Sequence, residues 1–307
     1  MSECWDVIVV GGGPAGLSAA LVLGRSLRRT LIVDSREPRN APSHALHGFL
    51  TRDGIDPHEF RRSAAEELAR YGVQMRADTV VDAAVCDVGF SVKLEDGTEL
   101  RSRKLLLATG VRDVLPEIEG LAERFGDSVL HCPYCDGWEA KGRKLGVYGE
   151  GDAGVAFAVQ VAHWSPDVIF TPPDPEALSK AHRRDLAAAR IEIAPEPVVR
   201  LEGPGTRLEH LVLRSGRQIA REALFFKAGC VLASDLAQRL GCKQDGASVR
   251  ADPSGTTCVP GVYVAGDMSP QPKLAIVAAA EGMQAAMELH SEMRREDVDP
   301  RRVSRAG

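Results

Sequence analysis

Apolar runs typical of strands alternate along this chain with segments of helical periodicity. Two sets of segments share the order strand, helix, strand, and they cover residues 5–10, 15–27 and 30–34, and then 144–149, 155–164 and 167–171. A strand that is followed by a helix and another strand forms a parallel pair with a right-handed crossover. The pattern therefore predicts an α/β protein with two parallel sheets.

The other segments extend these two sets. They comprise an amphipathic helix, further β regions, a strand and an Ala-rich helix, at 57–71, 80–94, 99–108, 191–233, 261–267 and 274–293. A polar loop is predicted over 35–54, a hinge over 112–120 and a return linker over 241–247. The second set thus lies inside the first along the chain.

A glycine-rich turn follows the first strand and opens the first helix. Its sequence is Gly11-Gly12-Gly13-Pro14-Ala15-Gly16, which contains the spacing GxGxxG. Glycines at this spacing serve a tight turn, close approach of the backbone to a pyrophosphate and close packing of the helix, whose N-terminus offers N–H groups to phosphate. Asp34 ends the next strand, where a carboxylate can accept from ribose hydroxyls. The turn predicts a dinucleotide site.

Two later segments distinguish NAD from FAD. Val264-Ala265-Gly266-Asp267 resembles the flavoprotein segment whose aspartate touches the ribityl chain, ahead of a helix that points its N-terminus at the isoalloxazine. Ala108-Thr109-Gly110 resembles the junction to the second domain in the same flavoproteins. The resemblance therefore favours FAD as the cofactor, and it adds Thr109, Gly110, Gly266 and Asp267 to the glycine turn as binding residues.

A cysteine pair stands between the two sets, in His131-Cys132-Pro133-Tyr134-Cys135-Asp136. Cysteines three residues apart can close a reducible disulfide, and a helix N-terminus lowers a thiol pKa. Proline suits the first turn of such a helix. Asp136 can donate and accept a proton for the thiol, and His131 can do the same work. Beside a flavin fold the pair predicts a redox dithiol, and the alternative is two buried cysteines without a chemical role.

Composition narrows the setting of this chemistry. The 307 residues suffice for two domains, and the net charge of −5, with both signs interspersed, indicates neither nucleic acid nor a membrane as a partner. No secretory signal or membrane-spanning run is apparent. Seven scattered cysteines make a poor disulfide framework, so we expect a cytoplasmic protein. A single close cysteine pair is too little for zinc, so we expect no metal.

With a glycine turn on each side, Cys132-Pro133-Tyr134-Cys135-Asp136-Gly137 resembles the redox segment of low-molecular-weight thioredoxin reductases, and the resemblance covers nearly the whole chain. It implies two nested, three-layer, Rossmann-like domains. Residues 1–112 and 245–307 would form a discontinuous FAD domain, and 113–244 a smaller NAD(P)H-binding-like domain with the redox pair. It also implies a homodimer whose domains rotate, with Cys135 against the flavin, Cys132 attacking the substrate and Asp136 as general acid–base.

The second nucleotide turn departs from that family pattern. Glu150 replaces the middle glycine in Gly149-Glu150-Gly151-Asp152-Ala153-Gly154 and puts a negative charge beside an expected pyrophosphate. The strand over 167–171 runs into Pro172-Pro173-Asp174-Pro175, where the family has arginines for the 2′-phosphate of NADPH. His182-Arg183-Arg184-Asp185 comes later, within a helix predicted over 176–189, and we interpret it as a solvated face. NADPH use is therefore in doubt.

Two further segments depart from the thioredoxin reductase pattern. Ser269-Pro270-Gln271-Pro272-Lys273-Leu274 stands where the family commonly has an Arg-Gln pair that helps to hold FAD. His44 and the segment from His47 to Gly54, HGFLTRDG, resemble the related dithiol oxidases that make disulfides in small natural products. Those enzymes hold FAD and a CxxC pair, lack the NADPH arginines and return electrons to oxygen. The alternative for both histidines is a surface loop.

Three hypotheses for the function follow. The first is an FAD-dependent dithiol–disulfide oxidoreductase that exchanges electrons with substrate thiols through the CxxC pair, without a working NADPH site. Its substrate would be a thioredoxin-like protein or a small dithiol. Across the three hypotheses, the electron partner is left open between oxygen, ferredoxin and NADPH. The second is a conventional NADPH-dependent thioredoxin reductase, and the third is a non-catalytic flavin-binding regulatory protein.

Overall fold

The structure, a computed structural model, describes residues 4–227 and 229–299. The chain forms two compact units, which we call the first and the second unit. The first unit takes the residues up to Arg39, those of Pro57–Arg112 and those from Cys230 onward, and the second takes Asn40–Asp56 and Asp113–Gly229.

The described residues contain both short and long helices. The α-helices are α1 (Pro14–Arg25), α2 (Pro57–Ala69), α3 (Pro133–Asp136), α4 (Gly151–Val161), α5 (Lys180–Ala188), α6 (Leu236–Arg239) and α7 (Ala275–Asp297). Single 3-10 turns occur at Ala122–Arg124 and Gly266–Met268. Of the helices described, none has both the length and the hydropathy needed to span a bilayer.

The strands are short and belong to several sheets. Up to residue 113 they are β1 (Cys4–Val10), β2 (Thr30–Asp34), β3 (Gln74–Ala77), β4 (Val80–Cys86), β5 (Gly89–Leu94), β6 (Glu99–Leu107) and β7 (Val111–Asp113). The next are β8 (Val129–Leu130), β9 (Leu145–Tyr148), β10 (Val168–Thr171), β11 (Glu192–Ile193), β12 (Val198–Glu202), β13 (His210–Leu213), β14 (Gln218–Ala220) and β15 (Ala223–Phe226). The last are β16 (Cys230–Leu232), β17 (Gln244–Asp245), β18 (Ser248–Val249) and β19 (Val262–Val264).

The main sheet of the first unit has the order β3-β2-β1-β6-β5-β4, with β19 also paired to β6. Strands β3, β2, β1, β6 and β19 run parallel, whereas β4 and β5 form an antiparallel meander with β6. Val10 of β1 pairs with Leu107 of β6, and Leu107 pairs with Val264 of β19. The carboxyl ends of these three strands therefore lie side by side.

Both faces of this sheet are covered, as the uninterrupted apolar run at the end of β1 predicts. Val9 is fully buried on one face in a cluster with Leu23 of α1 and Leu289 of α7. Ile8 is buried on the opposite face in a cluster with Leu94 of β5. Alternate residues of one strand thus enter two cores, and the unit has three layers.

The second unit is built on the sheet β11-β10-β9-β15-β8, in which every pair is parallel. On one face, Phe170 of β10 is buried in a cluster with Phe157 of α4 and Leu186 of α5. On the other face, Ile169 is buried with Leu211 of the antiparallel sheet β12-β13-β14. The predicted Rossmann-like α/β architecture is confirmed, with three layers in each unit.

The chain returns to the first unit earlier than the predicted linker. Cys230 already belongs to the first unit, whereas the expected boundary lay at residue 245. Leu236, Ala237 and Leu240 are buried in the same core cluster as Ile8, which binds this segment to the first unit. The predicted linker, 241–247, contains β17, which pairs as an antiparallel hairpin with β18 just beyond the linker.

Residues 40–56 also differ from the expected division, because they belong to the second unit. Pro42 packs against Gly126, because a Cβ on Gly126 would lie only 2.6 Å from atoms of Pro42. His44 faces Asp127 at 3.6 Å, and His47 faces Glu139 at 3.6 Å. All three partners belong to the second unit, so long-range contacts place this loop.

Candidate functional site

The first glycine turn has the geometry that its spacing predicts. Gly11 has φ +107°, and a Cβ there would lie 2.3 Å from the carbonyl oxygen of Ala108. A Cβ on Gly16 would lie 1.9 Å from the carbonyl oxygen of Gly11, which excludes a side chain. At Gly13, by contrast, no described atom lies within 4 Å of the Cβ site. Two glycines thus serve packing, and the third leaves room for a ligand to approach the backbone.

Helix α1 begins directly at this turn. Pro14 occupies its first turn, and no described side chain caps the helix at Gly13. The backbone N–H groups of Ala15 and Gly16 therefore remain available to an anion, in the field of the helix dipole. This arrangement fits the pyrophosphate of a dinucleotide.

Asp34 lies at the end of β2, where the sequence predicts a ribose-binding carboxylate. Its Oδ1 accepts from the backbone N–H of Gly12 at 3.0 Å, so it also holds the turn. Arg61 of α2 forms an ion pair with Oδ2. Arg61 could not be found from the sequence, because no pattern along the chain indicates that α2 lies beside this strand end.

The predicted C-terminal residues come to the same edge of the sheet. Gly266 has φ +78°, and a Cβ there would lie 2.8 Å from the Cβ of Ala15. The hydroxyl of Thr109 donates to the sulfur of Met268 at 3.2 Å. The structure therefore brings β6, β19 and the start of α1 together at the carboxyl ends of the parallel strands, where nucleotides bind in open α/β sheets.

Asp267 also has a cationic partner that the sequence did not indicate. Arg39 pairs with its carboxylate at 2.9 Å, and both side chains are mostly buried. Lys273 donates to the backbone carbonyl of Asp267 at 2.9 Å. Gly110 has φ +70°, and the Cβ of Asp267 lies 4.0 Å from the Cβ site of this glycine. Asp267 is thus held in place from several sides.

In the second unit, Cys132 and Cys135 are joined by a disulfide. Cys132 is the N-cap residue of α3, Pro133 follows in the first turn, and the backbone N–H of Cys135 donates to the Cys132 sulfur at 3.2 Å. An N–H directed at sulfur stabilises a thiolate there when the disulfide is opened. The five other cysteines are free: Cys4, Cys86, Cys230, Cys242 and Cys258.

Asp136 ends the short helix that carries the disulfide. Burial raises the pKa of its carboxyl to about 6, the positive charge of His47 opposes this rise, and the negative charge of Glu139 adds to it. A carboxyl with a pKa near neutrality can both donate and accept a proton at physiological pH. A pKa of about 6 would suit the acid–base role that we predict for Asp136 from the sequence.

The predicted alternative, His131, has a different environment. Its ring lies 5.7 Å from the ring of Phe125 and 6.2 Å from that of Phe226. His47 is the histidine whose charge acts on Asp136. In the sequence, His47 stands out only through a family resemblance, because more than eighty residues separate it from Asp136.

Aromatic side chains surround the disulfide segment. Tyr134 is 69% exposed and Trp138 is 73% exposed, one helical turn apart. The ring of Trp164 meets that of Tyr134 edge to face, with centroids 5.8 Å apart. These rings make the surface beside the disulfide unusually apolar for an exposed segment.

The second glycine turn retains close packing but differs in charge. A Cβ on Gly154 would lie 2.6 Å from the carbonyl carbon of Gly149. Glu150 is the exposed N-cap residue of α4. In the first turn of that helix, Asp152 contacts the Nε2 atom of His182 at 2.6 Å. Two carboxylates, those of Glu150 and Asp152, therefore lie at the end of the helix where a pyrophosphate would bind.

The His182 segment is also placed differently from the prediction. Helix α5 begins at Lys180 rather than at residue 176, with Ser179 as N-cap, and His182 completes a capping box with it. His182 is therefore a half-buried capping residue, whereas Arg183 and Arg184 are exposed, as predicted. The guanidinium of Arg183 donates to the carbonyl of Pro175 at 2.6 Å.

A sequence model of the pyridine nucleotide-disulphide oxidoreductases matches residues 5–282, which is most of the chain. This chain belongs to that family. Its relatives within the pyridine nucleotide-disulphide oxidoreductases include thioredoxin reductase sirT of Leptosphaeria maculans, 31% identical over 93% of this chain and 94% of the relative. Thioredoxin reductase tcpT of Claviceps purpurea is 32% identical over 87% of both chains. The crystal structure of HlmI superposes with a TM-score of 0.94 and 35% identity, covering 100% of this chain and 98% of that one.

As a thioredoxin reductase-like pyridine nucleotide-disulphide oxidoreductase, the protein is an FAD-dependent enzyme that acts on sulfur groups. This assignment replaces the hypothesis of a non-catalytic regulatory protein. The residues of the first unit suit FAD. They offer open space at Gly13, N–H groups at the start of α1, and the carboxylates of Asp34 and Asp267 at one sheet edge. In the described ranges, no group of three or more His, Cys, Asp or Glu residues is arranged to hold a metal ion.

Proposed function

We propose that this enzyme is a dithiol–disulfide oxidoreductase in which the Cys132–Cys135 pair exchanges an electron pair with FAD on one side and with substrate thiols on the other, without NADPH. The observation that carries the proposal is the disulfide at the start of α3, followed at once by a carboxyl with a pKa of about 6. Bound FAD would accept or supply the electron pair of the dithiol.

The residues of α3 support the thiol exchange. A substrate thiolate attacks the sulfur of Cys132, the Cys132–Cys135 bond breaks, and its electron pair goes to the sulfur of Cys135. A second substrate thiol then displaces Cys132, which leaves a substrate disulfide and an enzyme dithiol. Asp136 accepts a proton from a substrate thiol and returns it to an enzyme thiolate.

Three features of the second unit favour an enzyme without NADPH. Glu150 and Asp152 carry negative charge at the start of α4, where phosphate would bind. The chain after β10 runs through prolines and Asp174, without an arginine for a 2′-phosphate. The half-buried His182 is already engaged by Asp152 and Ser179.

The decisive test mixes the purified, FAD-loaded enzyme with NADPH in the absence of oxygen. We expect the flavin absorbance to persist at low NADPH concentrations and to be lost on addition of a dithiol such as dithiothreitol. Rapid loss of flavin absorbance with NADPH alone would overturn the proposal and establish a conventional reductase.

The Cys135→Ser variant tests the route of the electrons. We expect it to retain FAD, because the residues that fit FAD belong to the first unit, and to lose turnover with dithiols by at least about a thousandfold, as for other essential nucleophiles. Ser91→Ala, in the first unit, serves as the control and should keep turnover. Full activity of the Cys135 variant would contradict the assignment.

A conventional NADPH-dependent thioredoxin reductase is the second candidate. Its support is the close approach of Gly154 to Gly149, which retains the packing of a nucleotide turn, and the name of the relatives sirT and tcpT. The anaerobic mixing described above distinguishes the two candidates. A thioredoxin-like protein and a small dithiol are both substrates to be tested in the same assay.

We also propose a homodimer and a reducing, cytoplasmic setting. Helix α7 exposes an apolar stripe at Ile276, Met283 and Met287, and Met287 is 60% exposed. Such a stripe suits contact with the second copy of the chain that the family resemblance implies. The free state of five cysteines supports a reducing compartment. Sedimentation of the wild type and of Met287→Glu tests the dimer, because a charge there should favour monomers.

A further inference from the structure

His47 is held by its loop in a defined place within the second unit. Leu46 and Ile55 form an antiparallel bridge, and the N–H of Gly54 donates to the carbonyl of Leu46 at 2.9 Å, which closes the loop. The N–H of Gly48 donates to the Asp53 carboxylate at 2.7 Å. Asp53 is thereby fixed on the Nδ1 side of the His47 ring, at 3.5 Å.

The other ring nitrogen faces the helix of the disulfide. Nε2 of His47 lies 3.6 Å from the carboxylate of Glu139. Glu139 follows Asp136 by three residues, and the N–H of Ala140 donates to the carbonyl of Asp136, so this segment continues the helical turn. Asp136 and Glu139 therefore lie on the same side of the turn, and the charges of Glu139 and His47 both affect the pKa of Asp136.

The charges around these groups form one connected set. The charges of His47 and Glu139 affect the pKa of Asp136, and the carboxylates of Asp53 and Glu139 lie 3.5 and 3.6 Å from the His47 ring. His47 is only 20% exposed, whereas Asp53 is 68% exposed. The set thus leads from the interior carboxyl of Asp136 to an exposed carboxylate.

We propose that His47, held between Glu139 and Asp53, exchanges protons between the Asp136 carboxyl and the solvent while the Cys132–Cys135 disulfide opens and closes. Histidine suits this step because its ring accepts a proton at one nitrogen and releases one from the other. The His47 ring lies 3.5 Å from the Asp53 carboxylate and 3.6 Å from that of Glu139, which exceeds direct hydrogen-bond length, so a proton leaves the ring for Asp53 through a bridging water or after a small ring movement.

The proton balance of this step rests on the proposed function. Exchange converts a substrate dithiol into a disulfide and the enzyme disulfide into a dithiol, and no net proton is released. If bound FAD takes the electron pair and one proton of the enzyme dithiol, the second thiol proton must leave the site. Asp136 takes that proton from the dithiol, His47 takes it from Asp136, and Asp53 or water takes it from His47.

The test measures how fast dithiothreitol opens the disulfide of the FAD-loaded enzyme as a function of pH. The reaction is quenched with a maleimide and the labelled thiols are counted by mass. Comparison with the pH–rate profile of Asp136→Asn isolates the part of the wild-type profile, here called the Asp136 limb, in which the rate changes with the protonation of Asp136. We expect His47→Gln to shift this limb upward by about one pH unit, because a neighbouring positive charge that favours the carboxylate is lost.

Two further variants serve as controls. Glu139→Gln should shift the same limb downward, because Glu139 raises the pKa of Asp136. His44→Gln should leave it unchanged, because His44 is 78% exposed and faces Asp127 instead. His47→Ala should open its disulfide more slowly than the wild type, and free imidazole should restore part of that rate. A merely structural role of His47 would not allow such a rescue.

The outcomes separate this inference from the proposed function. If the limb of His47→Gln coincides with that of the wild type and imidazole has no effect, the inference is wrong and the proposed function stands. If dithiothreitol fails to open the wild-type disulfide, the proposed function fails and the inference fails with it. Should His47→Gln not fold, the downward shift in Glu139→Gln and the imidazole effect in His47→Asn decide the matter.

Discussion

The two glycine turns of this protein share a spacing and differ in their surroundings. In both, the last glycine lies against the first, since a Cβ on Gly16 or on Gly154 would collide with backbone. The first turn has open space at Gly13 and arginines beside its neighbouring aspartates. The second has Glu150 and an Asp152–His182 contact at the helix start.

The GxGxxG spacing thus indicates helix–strand packing more directly than it indicates ligand binding. The spacing survives wherever a helix must start close to a strand. Whether phosphate binds there depends on the charges nearby, and some of these come from residues distant in sequence. In the second unit, we propose that the chemistry takes place instead at the disulfide segment of α3.

Placing the same larger side chain at the last glycine of each turn tests whether the two turns differ in function. We expect Gly16→Val to lower FAD retention by about tenfold or more, since overpacking costs ~1–3 kcal/mol and each 1.4 kcal/mol is tenfold. Gly154→Val should destabilise the second unit by a similar amount and leave the flavin content unchanged. Flavin absorbance per mole of protein measures the outcome. Equal flavin loss in both variants would refute the division of roles.

Asp136→Asn sharpens the contrast by isolating the chemistry of the second unit. A carboxyl whose pKa is raised to about 6 binds more protons in the folded than in the unfolded protein between about pH 4 and 6, so stability falls as pH rises through that window. Above pH 7 the charged Asp136 costs up to about 3 kcal/mol.

The expected result is that Asp136→Asn raises the free energy of unfolding at pH 8 by up to about 3 kcal/mol, and that the gain disappears below pH 4. Urea unfolding of the oxidised protein at both pH values measures it. Asp87→Asn, an exposed carboxyl in the first unit, is the control and should change little at either pH. A gain that is independent of pH would contradict the burial of a charge at Asp136.

Glu150 offers a smaller test of the second turn. Removing a like charge near a pyrophosphate relieves ~1–4 kcal/mol, so Glu150→Gly should raise the rate of flavin reduction by NADPH about tenfold. The rate should remain far below that of a reductase, because no arginine is added for the 2′-phosphate. Glu150→Gln, which removes only the charge, separates charge from backbone freedom. No gain in either variant would mean that Glu150 does not limit NADPH binding.

The smallest expected effect concerns the cap of α5. Ser179→Ala removes the hydroxyl that accepts from the N–H of His182 and should cost about 1 kcal/mol of stability, with flavin content unchanged. Thermal unfolding measures this loss. Asp185→Asn, on the exposed face of the same helix, should stay within about 0.5 kcal/mol of the wild type. If Ser179→Ala were equally neutral, the capping box would not stabilise this region.

Much of the fold was predictable because it depends on local patterns. The apolar run of β1, the glycines after it and the small residues of α1 lie next to one another in sequence, and the parallel order of the strands follows from the helix between them. The start of α5 was predicted four residues early, because Glu176, Ala177 and Leu178 are good helix formers although the helix begins only after its N-cap, Ser179.

The less predictable features all depend on contacts between distant segments. The partners of Asp34 and Asp267 are arginines that no spacing links to them. The loop of residues 40–56 and the segment after Cys230 join their units through packing, whereas the prediction relied on continuity along the chain. The roles of the site residues and the domains in FAD binding and thiol exchange remain predictions for the experiments above.

From its amino-acid order alone, this protein could be recognised as an α/β enzyme with a nucleotide turn and a close cysteine pair, because each signal is complete within a few residues. Only the tertiary structure showed that His47 and Glu139 act on Asp136 and that His182 meets Asp152. Charge effects depend on distance and burial, and folding sets both by joining segments that the sequence keeps far apart.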